Sequence, residues 1–398
     1  MTPSPYRFVV EGILFATYAA FGLSWIAVTP LAAEIQQEFG VGATGFAMLN
    51  TLVSIAKIVA PLLTGLLAVR FGVKRTLLVG SALIAASAVA PFAPGFELFL
   101  ASRFVFGVGG AMVVTLLGPA VLQWFPKDEM PIVNALNNVA VNTGITITLF
   151  LTVPLAARLG WRDVLLAYSL VSVALTVAWA VFGRERGEAG GKAAGDARYR
   201  DVWRMRETWL VALCFSGPLS LYLAFNTFLP RYYVEAFGME KAAASQYTGL
   251  FNLVGIPAAV IGGWATRRLG LRRPFLLGAG TLIGFAAFGM FLSPDPRVLL
   301  ASAVVLGACL FVGASPLVTT AMELPGMTPA KVGLVMGTML SFSYVLSSAS
   351  PLLVGWLRDT TGSYVPGFAV WAAYSWVVAL GGWLLPETGT RAPAAAAA

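Results

Sequence analysis

Twelve apolar stretches, each long enough to cross a lipid bilayer as a helix, constrain the fold of this chain of 398 residues more than any other feature. A membrane-spanning helix needs about 20 mostly apolar residues. Only 11% of the residues are charged, too few to coat a water-facing surface. The sequence therefore predicts an all-α membrane protein whose helices lie in the lipid bilayer. The predicted spans are residues 7–30, 44–68, 75–93, 98–123, 131–156, 163–183, 208–229, 242–265, 273–292, 298–322, 332–356 and 364–385.

A polar segment divides the twelve stretches into two groups of six. It runs from Arg184 to Arg206, contains Gly, Ala and many charges, and has no apolar core of its own. We expect it to be mobile or to lie on the membrane surface as an amphipathic segment. The predicted domains are an N-terminal half (1–183), a cytoplasmic linker (184–206) and a C-terminal half (207–398).

A short basic turn after the second stretch recurs after the eighth. We call residues 65–75 the first turn and residues 263–273 the second turn. At an offset of 198 residues, Gly65, Arg70, Gly72, Lys74 and Arg75 correspond to Gly263, Arg268, Gly270, Arg272 and Arg273. Repeated halves in a helical membrane protein favour a binding site near the midplane, where the two halves meet.

Lysine and arginine are distributed unevenly between alternate loops. With the N-terminus inside, the cytoplasmic loops and ends hold 18 of the 26 and the outer loops hold six. Cytoplasmic loops of membrane proteins carry such an excess. We therefore expect both termini, the linker and both turns to face the cytoplasm, in the inner membrane of the cell. The same distribution accounts for the net charge of +8, so we expect no nucleic-acid partner.

Both turns resemble the loop signature of the major facilitator superfamily, G-x-x-x-D-R-x-G-R-R/K. Residues 103–109 are similar to the family's helix 4 pattern R-x-x-x-G-x-G. The resemblance implies the major facilitator fold, with two pseudo-symmetric six-helix halves, and transport by alternating access. The acidic position of the signature is Val69 in the first turn and Arg267 in the second. In the family this acid steadies the outward-open state, so the resemblance implies a less firmly held outward-open state here.

The end of the eleventh stretch resembles a smaller group within that family. Residues 351–363 fit the ending P-x-x-x-G-x-x-x-D-x-T-G-S, which is similar to that of cyanate/nitroimidazole-type permeases. Asn142–Thr143–Gly144 is similar to the N-x-G of nitrate-type transporters, but a second nitrate-type signature is missing. The resemblance implies a small-solute permease and names no substrate.

Two basic residues lie within predicted spans. Lys57 falls near the bilayer midplane, where a charged side chain is costly and usually faces a cavity or a partner. It can bind an anionic or strongly polar substrate, or it can serve a structural ion pair. Its repeat equivalent is Gly255, which favours the functional alternative because the charge is not part of the shared scaffold. Arg103 can bind substrate or assist proton transfer, or it can brace neighbouring helices.

Glu11 is the acid inside a predicted span, one turn from the cytoplasmic side. It can carry a coupling proton or pair with a cytoplasmic base, and its shallow depth favours the pairing. Glu11 shares a helix face with Tyr18 and Trp25, whose rings we expect to form walls of the substrate site.

Polar side chains on the other stretches are candidates for hydrogen bonding to the substrate. Such groups on a membrane helix must bond inside the protein or face a wet cavity. We expect Asn142 to line the pore, and interhelical bonding is the alternative. The further candidates for substrate binding are Asn138, Tyr222, Asn226, Asn252, Tyr344 and Ser348. The candidates for gating are Arg70, Lys74, Arg75, Arg268 and Arg272, together with Glu11.

No catalytic, phosphate-binding or metal-ligand motif occurs in the sequence. We therefore predict no enzyme, no cofactor and no metal site. The sequence favours a monomeric secondary active transporter that moves a small polar or anionic organic solute, with symport of a coupling proton. A drug or metabolite exporter is the alternative, since 12% of the residues are aromatic. A channel and a non-transporting membrane receptor are further alternatives.

Overall fold

The computed structural model describes residues 4–125, 130–185, 199–324 and 329–389, which form helices joined by short turns. The first half contains α1 (Arg7–Trp25), a 3-10 helix (Thr29–Leu31), α2 (Ala32–Phe39), α3 (Ala43–Phe71), α4 (Val73–Ala85), a second 3-10 helix (Ala86–Phe92), α5 (Phe96–Trp124), α6 (Met130–Leu159) and α7 (Trp161–Phe182). The second half contains α8 (Tyr199–Trp203), α9 (Arg206–Phe237), α10 (Lys241–Leu269), α11 (Arg273–Leu292), α12 (Pro296–Glu323), α13 (Pro329–Thr361), α14 (Val365–Tyr374) and α15 (Val377–Leu384).

Within the described parts of the chain, twelve helical segments are long and apolar enough to cross a membrane. This confirms the predicted number of spans. The first segment, Arg7–Phe39, is longer than predicted and is made of α1, a 3-10 helix and α2. Its α-helix ends at Trp25, shortly before Thr29–Pro30. Backbone carbonyls at this break therefore need partners from elsewhere in the protein.

The chain divides into two compact units, residues 1–191 with 233–249 and residues 192–232 with 250–398. In the first unit, α1 packs on α6 and α7, and α5 packs on α3 and α4. Segment 233–249 joins this unit through an ion pair between Lys241 and Glu34 of α2. A Cβ on Gly249 would lie 2.7 Å from the ring of Phe150 on α6, so the start of α10 packs tightly there.

Glycines bring α1 and α6 unusually close together. A Cβ on Gly22 would lie 2.1 Å from the carbonyl oxygen of Val141, and one on Gly144 would lie 1.9 Å from that of Ala19. Small residues permit such close approach, which gains van der Waals contact between membrane helices. These two glycines therefore fix the position of α1, which carries several of the predicted site residues.

In the second unit, α11 packs against α12, α14 and α15. The short helix α8 packs on α13, where the indole nitrogen of Trp203 donates to Thr338 Oγ1 at 3.0 Å. Val202 of the same helix is fully buried. Residues 199–203 of the predicted linker are thus docked on α13, whereas residues 186–198 lie outside the described part of the chain.

Candidate substrate-binding site

Lys57 lies midway along α3 and is buried, with only 4% of its surface exposed. Its Nζ is 3.7 Å from the ring centroid of Trp25 and 4.9 Å from that of Phe21, both on α1. A cation over an aromatic face is attracted to the negative charge of that face, more strongly where water is excluded. The structure thus places the ammonium group among aromatic rings of the first unit.

The aromatic rings around Lys57 come from one face of α1. Tyr18 stacks on Phe21 at a centroid distance of 6.0 Å, and Phe21 contacts Trp25 at 5.5 Å. Phe21 also stacks on Phe106 of α5 at 4.8 Å. A Cβ on Gly110 would lie 2.0 Å from the ring of Phe21, so α5 has room for this ring only because it carries glycine there. Tyr18 and Trp25 therefore belong to one packed aromatic group beside Lys57.

Arg103 of α5 is 3% exposed, and its guanidinium group donates to backbone carbonyls. Its hydrogen bonds go to Ser24 O, Trp25 O and Leu49 O. Two of these carbonyls lie in the last turn of α1, where no helix continues to satisfy them. A cation at a helix C-terminus also interacts favourably with the helix dipole. This geometry matches the bracing role that the sequence left open, and a contact of Arg103 with substrate stays a prediction.

Two further polar residues of α3 share the face of Lys57 and were missed at the sequence level. Asn50 and Ser54 precede Lys57 by seven and three positions, which places all three on one side of the helix. Both are buried, and the hydroxyl of Ser54 donates to the carbonyl of Asn50 at 3.2 Å. Their spacing relative to Lys57 is the signal that could have revealed them.

Polar groups with no hydrogen-bond partner among the described residues also occur near the break in α1. They are the indole N–H of Trp25 and the hydroxyls of Ser24 and Thr29, all buried. Most buried polar groups in proteins are hydrogen-bonded, so an unpaired donor needs an explanation such as a ligand or a water molecule. The Trp25 donor belongs to the same ring that lies under Lys57.

Glu11 of α1 is buried with 8% exposure, and neither carboxylate oxygen accepts a hydrogen bond within the described residues. The amide of Asn137 on α6 is its polar neighbour, although the two groups are not in full hydrogen-bond geometry. Asn142, further along α6, is buried as well. The side chain of Asn138 lies outside the described part of the structure.

The predicted polar residues of the second unit are partly used between helices. Asn252 Nδ2 of α10 donates to Asn226 Oδ1 of α9 at 2.9 Å, and Asn226 Nδ2 donates to the carbonyl of Tyr222 at 2.9 Å. Both asparagines are fully buried. This arrangement joins α9 to α10, and a contact of these asparagines with substrate stays a prediction. The ring of Tyr222 contacts Phe251 and Phe311 edge-on, at 5.9 and 6.4 Å.

Two other predicted residues of this unit lie on α13. Tyr344 is half-buried, and Ser348 is buried with its hydroxyl donating to the carbonyl of Tyr344 at 2.5 Å. A serine hydroxyl that bonds back to its own helix needs no partner from another helix. Ser348 is therefore satisfied locally.

The gating candidates of the two turns differ in exposure. Arg70, Arg75 and Arg268 are exposed, Lys74 is half-buried and Arg272 is buried. Arg272 donates two hydrogen bonds to the carboxylate of Glu323, with NH2 to Oε1 at 3.1 Å. The side chains of Val69 and Arg267, which replace the acid of the signature, lie outside the described part of the structure.

A carboxylate that sequence reasoning missed caps the helix after each turn. Glu185 Oε1 accepts from Val73 N at 2.7 Å, at the start of α4. Glu387 accepts from Arg272 N and Arg273 N at 2.8 and 3.0 Å, at the start of α11. Carboxylates are favoured at helix N-termini, where backbone N–H groups are unpaired. The signal available was the offset of 202 residues between two acids that each follow the last helix of a half.

Comparison with known families agrees with the twelve spans. The profile described as Major Facilitator Superfamily matches residues 14–351. The chain belongs to the Major Facilitator Superfamily. This assignment confirms the family that the sequence resemblance implied.

Relatives of this superfamily protein include proteins named for the transport of small anions. It is 25% identical to the probable sulfoacetate transporter SauU of Cupriavidus necator, over 94% of this chain and 92% of that one. It is 22% identical to the nitrite extrusion protein of Bacillus subtilis, over 86% of each chain. Among solved structures, a bacterial homologue of the human lysosomal transporter Spinster, in an inward-facing and unoccupied conformation, superposes with a TM-score of 0.75. It shares 14% sequence identity and 96% of each chain is covered, which shows a common fold.

Together these findings confirm the predicted all-α fold and the prediction of a multi-pass membrane protein that acts as a secondary transporter of small solutes. The orientation of the termini, the coupling ion and the roles of individual residues stay predictions.

Proposed function

We propose that this major facilitator protein transports a small organic anion across the cytoplasmic membrane by alternating access, with Lys57 binding the anionic group. The observation that carries the proposal is the buried ammonium of Lys57, 3.7 Å above the ring of Trp25. Charged groups this deep in a membrane protein are costly and are generally retained for function. An anion beside Lys57 would offset that cost.

The surroundings of Lys57 fit an anion better than a neutral solute. The indole N–H of Trp25 is a buried donor that no described residue uses. Arg103 holds the end of α1, and thus Trp25, in place through Ser24 O and Trp25 O. Relatives named for sulfoacetate and nitrite transport support the same substrate class.

Solute counterflow in proteoliposomes tests this proposal. Purified protein is given labelled nitrate, acetate, methanesulfonate and sulfoacetate, each with excess unlabelled solute on the other side. We expect Lys57→Gln to lower the counterflow of every accepted anion by about tenfold or more, the loss of roughly 1.4 kcal/mol of binding. Lys57→Arg should keep more activity than Lys57→Gln because it keeps the charge.

Arg297→Gln is the matched control, since Arg297 is an exposed cation at the start of α12. It should transport as well as the unmodified protein. Unchanged counterflow in Lys57→Gln would remove Lys57 from the substrate site. Uptake without counterflow would favour a channel, and resistance of overproducing cells to lipophilic compounds would favour an exporter.

Glu11 is our candidate for the coupling proton. Its buried carboxylate has the neutral amide of Asn137 as neighbour and accepts no hydrogen bond from the described residues. A buried carboxylate of this kind is more stable with a proton bound than as a bare anion. We expect Glu11→Gln to abolish accumulation driven by a pH gradient while counterflow continues, because exchange of labelled for unlabelled solute needs no net proton movement. Loss of both activities, or of neither, would contradict this role.

Four further residues and the two turns complete the proposal. The residues are Tyr18, Asn142, Tyr222 and Tyr344. Tyr18 belongs to the aromatic group beside Lys57 and is proposed as a wall of the site. Asn142 and Tyr344 are proposed as hydrogen-bond partners of the substrate. We place both termini and both turns in the cytoplasm on the basis of the lysine and arginine distribution. Labelling of single cysteines placed near each terminus, in intact and opened cells, tests that orientation.

A further inference from the structure

The short helix α8 has one side buried against α13 and the opposite side charged. Val202 of α8 is fully buried in an apolar cluster that includes Val335 and Met339 of α13. Arg200 precedes Val202 by two positions, and Arg204, in the turn directly after α8, follows it by two. Two positions correspond to about 200° around a helix, so both arginines lie opposite Val202. The docking of α8 therefore directs two exposed guanidinium groups away from α13.

The arginines of this segment are not neutralised by the described part of the protein. Arg200, Arg204 and the nearby Arg206 are exposed, and none of them forms a hydrogen bond or an ion pair with another described residue. The neighbouring acids, Asp201 and Glu207, each lie in the first turn of a helix, where a carboxylate interacts favourably with the helix dipole. The three guanidinium groups are thus available to an anionic partner.

Two tryptophans beside the arginines are fixed in position but exposed. The indole N–H of Trp203 donates to Thr338 Oγ1 of α13 at 3.0 Å, and that of Trp209 donates to the carbonyl of Trp203 at 2.9 Å. The ring of Trp209 also contacts Phe342 of α13 edge-on, at 5.6 Å. Even so, Trp203 is 52% exposed and Trp209 is 38% exposed. Tryptophan rings of this kind are enriched at the headgroup level of membranes, where an apolar body and one polar group both find suitable surroundings.

The position of α8 in the chain places it at the edge of the bilayer. Helix α9 begins at Arg206, two residues after the end of α8, and is one of the membrane-crossing segments. Its 32 residues extend about 48 Å, close to the roughly 40–45 Å thickness of a bilayer with its headgroups. The first turn of α9 therefore lies near the headgroups. The connection to α8 spans at most about 10 Å, so α8 lies there as well.

We propose that Arg200, Arg204 and Arg206, together with Trp203 and Trp209, form a binding surface for an anionic phospholipid of the adjacent leaflet. We call these five residues the α8 surface. A guanidinium group donates two parallel hydrogen bonds to a phosphate, and basic residues next to a membrane are attracted to anionic lipid. The tryptophan rings pack beside the glycerol and the first carbons of the acyl chains. The α8 surface belongs to the second unit alone and is independent of the proposed substrate site.

Lipid binding to the delipidated full-length protein tests this proposal. Protein in a neutral detergent is titrated with dioleoyl phosphatidylglycerol or dioleoyl phosphatidylcholine, which share their acyl chains and differ in headgroup charge. Hydrogen exchange of residues 199–209 measures binding at the α8 surface itself. We expect phosphatidylglycerol to protect this segment at a concentration about tenfold or more below that of phosphatidylcholine. Combining Arg200→Gln with Arg204→Gln should remove most of this preference.

Arg158→Gln combined with Arg297→Gln is the matched control, because both arginines are exposed and lie outside the α8 surface. This control should keep the preference for phosphatidylglycerol at residues 199–209. Glycerol 3-phosphate, which has the phosphate but no acyl chains, should give no protection at the concentrations that are effective for the lipid. The preference of the unmodified protein should weaken at high salt, which screens exposed charges.

Each contrary result has a defined meaning. Equal protection by the two lipids would overturn the recognition of a charged headgroup, and full protection by glycerol 3-phosphate would assign the α8 surface to a soluble phosphate ester instead. An unchanged preference in the double glutamine variant would remove Arg200 and Arg204 from the site. If that variant undocks α8, which faster exchange at Val202 before lipid addition would show, Arg200→Lys combined with Arg204→Lys replaces it. The lysine variant keeps the charge and should retain part of the preference, and its complete loss together with salt-independent binding in the unmodified protein would overturn the proposal.

Discussion

The first and second turns share a backbone design but differ in the side chains that hold them. Gly72 and Gly270 adopt positive φ angles of 84° and 64°, and a glutamate caps the helix that follows each turn. In the second turn, Arg272 is also paired with Glu323 at the end of α12. The equivalent residues of the first half are Lys74 in the first turn, which is half-buried, and Gln123 near the end of α5. Among the described residues, the second turn therefore has a guanidinium–carboxylate pair with α12, in which Arg272 is buried, and the first turn has none.

The two halves thus share the backbone geometry of the turn but not the charged contacts that hold it. A left-handed glycine and a capped N-terminus are needed wherever the chain reverses into a helix, so both copies keep them. An ion pair between helices is optional, and it adds stiffness only where both partners are present. Arg273 adds to this stiffness by donating to the carbonyls of Gly382 and Trp383. We infer that the second turn is the more rigid of the two.

The largest effect that this comparison predicts is the loss of Arg272. Arg272→Ala removes the guanidinium hydrogen bonds to Glu323 and to the carbonyl of Thr266. Thr388 Oγ1 still donates to Glu323, and Gly270 N still donates to the carbonyl of Thr266. We expect the free energy of unfolding to fall by about 2–3 kcal/mol. This is less than the cost of breaking a fully buried pair, because the side chain of Glu323 is 34% exposed. Lys74→Ala, the equivalent change in the first turn, should alter stability by no more than about 0.5 kcal/mol. Thermal unfolding of both variants in the same detergent measures the difference.

Equal losses in the two variants would contradict the inferred difference in rigidity. Trp264→Ala provides a control in the second turn, because Trp264 is exposed and lies outside the Arg272 network. It should leave the unfolding temperature close to that of the unmodified protein.

The two capping glutamates give the next largest effect. Glu387 accepts from the backbone N–H groups of Arg272, Arg273 and Gly389, whereas Glu185 accepts from that of Val73. Loss of a helix cap typically costs about 1 kcal/mol, so we expect about 1–2 kcal/mol for Glu387→Ala and about 0.5–1 kcal/mol for Glu185→Ala. Thermal unfolding orders the two variants, and hydrogen exchange at the first turns of α4 and α11 reports where protection is lost. A larger loss in Glu185→Ala would reverse the comparison.

The sequence predicted the fold well because lipid imposes a simple rule. Every backbone polar group in the bilayer must bond within the protein, so length and apolar content are sufficient to identify helices. The depth of Lys57 in its span likewise predicted its burial. The break in α1 after Trp25 was not predicted, because the apolar stretch continues to residue 30 and the three residues directly after Trp25 are apolar.

The contacts of the site depend on packing, which single spans do not specify. Arg103 acts on the carbonyls of a helix end that only the structure locates. Asn226 and Asn252 pair because α9 and α10 meet in one register, and nothing in either span indicates that register. Glu185 and Glu387 lie just outside the predicted spans, so they were not considered as partners of the turns.

The smallest effect concerns the residue that the first turn lacks. Gln123→Glu supplies the carboxylate that Glu323 provides in the second half, at an offset of 200 residues. We expect it to stabilise the protein by no more than about 0.5 kcal/mol, since Lys74 is half-buried and would lose side-chain freedom on pairing. Any gain should shrink at high salt, which screens partly exposed charges. Thermal unfolding at low and high salt, beside Glu323→Gln as the reciprocal change, measures it. If the gain in the first turn equalled the loss in the second, the difference in rigidity would reduce to this one residue. If the gain in the first turn is smaller than the loss in the second, the rigidity of the second turn depends on two other features. These are the burial of Arg272 and the hydrogen bonds that Glu387 accepts from Arg272 N and Arg273 N.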